Sequence, residues 1–207
     1  MEKVRFDVAK QHLATLALLS AIACILLSIN QFIGLGLETN VYLEQTYLVI
    51  DLIAFPFFLI GLIIIFLYSL NFNLGTFGLV SFIIAFFGTC LVIGDVWFEI
   101  FVTPIIEEPG PKDIPPPSMM AGAVLTFFSF SVGLILFGFC LFRRNVFPKW
   151  LCILFIMGAI FGQKVLTIPY IIVLATAVMV MNLRIYNEYK VTVKKREEPP
   201  ITPEAFL

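Results

Sequence analysis

The chain has a single histidine, His12. One imidazole excludes bis-histidine haem ligation and the multi-histidine di-iron sites of membrane desaturases. His12 stands near the start of an apolar stretch and reads as an interfacial residue. The H-E-x-x-H metalloprotease motif is absent, and with it a pair of zinc ligands on one helix face. The G-x-S-x-G nucleophile elbow and the G-x-x-x-x-G-K-[ST] phosphate loop are absent too. Ser20, Ser28, Ser81, Ser129 and Ser131 read as helix-packing residues. Nothing here designates a catalytic residue, a metal or a cofactor.

Cysteine is scarce and unpatterned. Cys24, Cys90, Cys140 and Cys152 each lie inside an apolar block, with no C-x-x-C among them. No disulfide framework or zinc spacing follows. They read as reduced, small packing residues.

Charge is short as well. Only 13% of residues are charged, about half the share of a soluble domain. The formal net charge is −1, which gives no reason to expect a nucleic-acid partner. What fills the chain is apolar: 60% hydrophobic, with 23 phenylalanines. The apolar residues come in blocks about 20 residues long, the length that crosses a bilayer.

The expected architecture is all-α, an integral membrane bundle of six transmembrane helices. Residues 1–10 are a cytoplasmic N-terminus, 11–186 the six-helix domain, and 187–207 a charged cytoplasmic tail expected to be disordered. The spans are expected at 11–32, 47–70, 76–102, 119–142, 148–162 and 168–186. The first is too long for a signal-peptide core and lacks a clear cleavage site, so it is expected to be retained. Pro56 is expected to kink the second. Six prolines between 104 and 118 demand an extended, partly polyproline II connection.

Basic residues set the orientation. With six spans, eleven of the 13 Lys and Arg fall on one side, leaving Lys112 and Lys164 on the other. Both termini are therefore expected in the cytoplasm, with Trp150 at the inner interface and Trp97 at the outer one. Arg143 and Arg144 read as topology signals. The tail run Lys194-Lys195-Arg196 could touch anionic headgroups, although Glu197 and Glu198 oppose that. A faint repeat is visible. Phe58-Leu59-Ile60-Gly61-Leu62-Ile63 returns as Phe130-Ser131-Val132-Gly133-Leu134-Ile135, 72 residues later.

Helices in lipid pack through small residues. Four rows follow three-four spacing: Ala17, Ala21, Cys24, Ser28, Gln31; Asp51, Ala54, Gly61; Ser81, Ala85, Gly88, Asp95, Glu99; and Gly158 with Gly162. Polar groups sit at the outer end of the first three. In Gly94-Asp95-Val96-Trp97-Phe98-Glu99, two carboxylates four residues apart share a helix face. Asp95 is expected to face the bundle, about one turn deeper than its neighbours. An ionised Asp at a helix centre costs about 2.5–3.5 kcal/mol on insertion scales. The candidate site is thus a polar pocket of Asp95, Glu99, Asp51 and Gln31, with Lys164 in the outer turn as the nearby base.

The inner loop Phe142-Arg143-Arg144-Asn145-Val146-Phe147-Pro148-Lys149-Trp150 follows Leu141 and precedes a glycine-containing helix. It resembles the L-x-R-x-x-V-x-P-x-W segment of small bacterial multi-pass inner-membrane proteins of unknown function, over roughly residues 120–165. The resemblance implies a cell-membrane protein of about six helices and carries over no catalytic residues. Beside it stand three functional readings: binding of a small amphiphile or a partner helix through the outer pocket; proton- or cation-coupled transport using the carboxylates, which at this length calls for a homodimer; and, lowest, carboxylate acid/base catalysis. The lipid bilayer is the one partner that all three share.

Overall fold

A computed structural model describes residues 2–34, 41–102, 117–161 and 170–197. Among them are six α-helices and no strand: α1 (Glu2–Gly34), α2 (Val41–Ser69), α3 (Gly75–Phe101), α4 (Pro117–Arg143), α5 (Lys149–Phe161) and α6 (Tyr170–Glu197). A short 3-10 turn, Leu70–Phe72, links α2 to α3. Five helices are long and apolar enough to cross a membrane; α5 is the shorter exception. Its 13 residues rise about 20 Å.

Helix ends depart from expectation where polar residues extend a helix past its apolar block. α1 starts at Glu2 and α2 at Val41. α6 continues to Glu197, so the tail expected to begin at 187 is helical for a further three turns. Helix propensity of Glu, Lys and Tyr explains this better than hydropathy does. The helix of α2 runs on through Pro56. The proline-rich connection, Gly162, and the last ten residues lie outside the described set.

The helices form a ring in chain order. Each packs on the next, and α6 closes back onto α1. α6 also reaches α2, so α1, α2 and α6 make a triangle at one side of the ring. Gly158 lies close against the backbone of Leu174, which pairs α5 with α6 through a small residue. An aromatic ladder fills the opposite side. Phe66 of α2 stacks on Phe82 of α3 at 4.1 Å between centroids, and Phe82 meets Phe137 of α4 at 5.6 Å. Phe137 in turn meets Phe155 of α5 at 6.4 Å. Such pairs add about 0.5–1.5 kcal/mol each beyond burial.

The faint repeat has structural substance. Phe58 and Phe130 are both buried, as are Leu62 and Leu134. Each segment ends in an asparagine with left-handed backbone, Asn73 at φ 52° and Asn145 at φ 53°, again 72 residues apart. Asn tolerates that conformation better than any residue but Gly. The turns after α2 and α4 are therefore built on the same device at the same offset.

At the end of the ring where these turns lie, Tyr68 donates to Glu188 Oε2 at 2.6 Å and the Tyr68 ring lies 5.5 Å from that of Phe147. Trp150 is exposed near this end, and Trp97 is exposed near the other. The two ends are called here the Arg144 end and the Asp51 end.

Candidate functional site

Asp51 sits on α2 ten residues before Gly61, near the Asp51 end of the ring. It is 4% exposed. Two amides from α1 hold it. Asn30 Nδ2 donates to Asp51 Oδ1 at 2.8 Å, and Gln31 Nε2 donates to Oδ2 at 3.0 Å. Asn30 Nδ2 also reaches the carbonyl oxygen of Tyr47 at 2.8 Å. The Tyr47 phenol joins the same network toward Asp51 and Gln31. Each carboxylate oxygen thus has its own donor.

The periodicity of α1 explains the geometry. Successive residues on a helix are about 100° apart, so adjacent Asn30 and Gln31 straddle the direction of the buried Ser20 and Leu27, the side on which Ser20 meets Gly61 of α2. One reaches each oxygen. Asn30 was not singled out in the sequence because Gln31 alone fits the three-four spacing. Tyr47 was taken only as a helix start. The signal for Asn30 was present: two amides side by side at the end of a small-residue row.

Glu99 of α3 lies partly buried within electrostatic range of Asp51 and Tyr47. Below the carboxylate, away from the Asp51 end, the walls turn apolar within two turns. Leu27, Ala54, Phe55 and Phe58 are all buried there. The polar site therefore has an apolar floor.

Asp95 requires a correction. It is exposed, not turned into the bundle. The row's angular register is sound, since Ser81, Ala85 and Gly88 are all buried. What fails is the partner. At Gly88 and Gly133 the backbones of α3 and α4 touch, Gly88 against Phe130 and Gly133 against Ala85. Beyond this crossing burial falls away on both helices. No residue of α3 past Thr89 is buried, and residues 121–125 of α4 are exposed. Gly94 and Gly122 face open space, with nothing within 4 Å of an added side-chain carbon. Asp95 is seven residues past Gly88 on this less buried stretch of α3, near the exposed Trp97. It is an exposed rim residue of the ring.

The structure thus brings Asp51, Gln31 and Glu99 together and leaves Asp95 out. Lys164 lies outside the described residues. Among the described residues no group of three or more His, Cys, Asp or Glu could hold a metal. All four cysteines are free thiols. No family model, curated protein or solved structure matches the chain.

Proposed function

We propose that the chain is a six-span membrane protein of the bacterial inner membrane, with both termini cytoplasmic, that binds a small amphiphile in a polar pocket at its outer end. The five long apolar helices support the membrane placement. For the sixth span, α5 runs antiparallel to α6 from the Arg144 end, with Gly158 against Leu174. The skew of basic residues supports the orientation.

The observation that carries the binding reading is Asp51, a carboxylate nine-tenths buried, held by two amides and with no cation bonded to it among the described residues. A buried carboxylate needs a counter-charge or a proton. A ligand with a cationic head and an apolar tail supplies the first, and the apolar floor of Leu27, Phe55 and Phe58 suits its tail. A partner helix bearing one basic residue would use the same chemistry.

The test is thermal stability of the purified protein in a neutral detergent. Dodecylammonium should raise the midpoint for wild type and not for Asp51→Asn. Dodecyl sulfate at equal concentration should not raise it. Equal effects of the two surfactants on wild type and variant would overturn the reading.

The proximity of Glu99 to Asp51 favours one second reading, transport coupled to a proton or cation, in which a homodimer supplies the alternating path. Uptake into proteoliposomes that depends on a pH gradient and on Asp51 would establish it. Ligand-induced stabilisation without flux would leave the binding reading alone.

A further inference from the structure

Three residues mark the centre of the α1–α2–α6 triangle: Ser20, Gly61 and Asn182. Ser20 and Asn182 are fully buried. A methyl group added at Gly61 would fall on the Ser20 hydroxyl and lie 2.8 Å from Asn182 Nδ2. Both polar side chains therefore lean on the bare face of one glycine.

Their hydrogen bonding is incomplete. Asn182 Nδ2 donates to the Val178 carbonyl oxygen of its own helix at 2.9 Å. That bond fixes the amide's orientation and leaves Oδ1 as the acceptor. Asn182 Oδ1 and Ser20 Oγ both lack a partner. The Cys24 thiol, one turn along α1, approaches Ser20 without closing a hydrogen bond. A buried hydroxyl donor and a buried carbonyl acceptor are thus unpaired, on two side chains that meet the same glycine. Buried groups of this kind are nearly always paired, and hydrocarbon surroundings raise the cost of leaving them so.

The repeat supplies a comparison. Gly133, the counterpart of Gly61, receives the backbone of Ala85, so α3 and α4 touch main chain to main chain. At Gly61 the contact is a side chain, the Ser20 hydroxyl. The Ser20 side chain, hydroxyl foremost and Cβ behind it, is the spacer between α1 and the Gly61 backbone.

We propose that Ser20 and Asn182 form an interhelical latch with two positions. In the open position, described above, the Ser20 hydroxyl rests on Gly61. In the closed position it turns away from Gly61 and donates to Asn182 Oδ1, and α1 moves toward α2 into the space that the hydroxyl vacates. The Val178 bond of Asn182 is kept throughout, so one hydrogen bond is gained and none is lost. α1 also carries Asn30 and Gln31, about 15 Å further along the same helix. The latch therefore moves the two amides that hold Asp51; this coupling rests on the reading of Asp51 as a binding site.

Solid-state NMR of the full chain in lipid bilayers tests the latch through the Asn182 side-chain carbonyl carbon, assigned by its loss in Asn182→Leu. Wild type should give two resonances, and Ser20→Ala should leave only the one without a donor. A single resonance unchanged by Ser20→Ala would overturn the latch. A single resonance that Ser20→Ala does shift would show a permanent bond and overturn the two positions. The coupling is read from the infrared carboxyl band of Asp51, assigned with Asp51→Asn. Ser20→Ala should move that band, and an unmoved band overturns the coupling. Two Asn182 resonances in a protein that dodecylammonium does not stabilise would keep the latch and remove the ligand reading, so the two failures are distinguishable.

Discussion

Asn30 uses one amide nitrogen twice, donating at 2.8 Å to Asp51 Oδ1 and at 2.8 Å to the Tyr47 carbonyl oxygen. The second bond locks the amide, so Asn30 presents only a donor to residue 51. Gln31 is partly exposed and is free to turn its own amide over.

Asp51→Asn should accordingly fold as well as wild type. The new amide oxygen faces Asn30, and its nitrogen faces the turned-over Gln31 oxygen. Asp51→Leu removes the carboxylate acceptor from both amides, leaving Asn30 the Tyr47 carbonyl alone and Gln31 without its bond to residue 51, and should cost about 1–3 kcal/mol for a donor that stays buried and unpaired. Reversible unfolding in mixed micelles measures both. An Asp51→Leu protein as stable as wild type would show that the network does not hold α1 to α2.

Asp95→Asn and Asp95→Leu should each stay within about 0.5 kcal/mol of wild type, the range of surface positions. The same micelle unfolding decides this. A loss comparable to that of Asp51→Leu would return Asp95 to the interior.

The crossing of α3 and α4 depends on glycine for close approach. Gly133→Val would drive a branched side chain into the Ala85 backbone and should cost about 1–3 kcal/mol. Gly122→Ala, on the open arm, should cost nothing, because its added carbon meets no atom within 4 Å. Equal losses at both positions would contradict the difference in packing between them.

Reporter fusions after Asn40, Lys112, Lys164 and Lys190 should read outside, outside, outside and inside. The third and fourth decide whether α5 crosses. If α5 only dips into the membrane and returns, Lys164 reads inside and Lys190 outside.

The fold was legible in the sequence to the extent that hydropathy controls it. Each expected span overlaps one of the six helices among the described residues, because blocks of Ile, Leu, Val and Phe need length and little else. Helix ends were less legible, since Glu197 or Val41 extends a helix by propensity and not by burial. The site was half legible. Small-residue rows gave the correct faces for Ala17 to Cys24, Ala54 to Gly61 and Ser81 to Gly88. A row states which way a side chain points and not whether a neighbour is there to meet it. Asp51 meets α1 at its level, whereas Asp95 lies on the stretch of α3 past Thr89 where no residue is fully buried. That difference belongs to tertiary packing, which a row of small residues does not record.

The closure of the ring by α6 on α1 has a consequence for biogenesis. At about 5–20 residues per second, α6 emerges from the ribosome on the order of ten seconds after α1 is complete. In the six-span reading, α1 holds Ser20 and Asn30 in the bilayer during that interval without the helix that later covers the first of them. Asn30 finds Asp51 as soon as α2 inserts; Ser20 must wait. In that reading, α1 is therefore the helix that waits longest for its full set of neighbours.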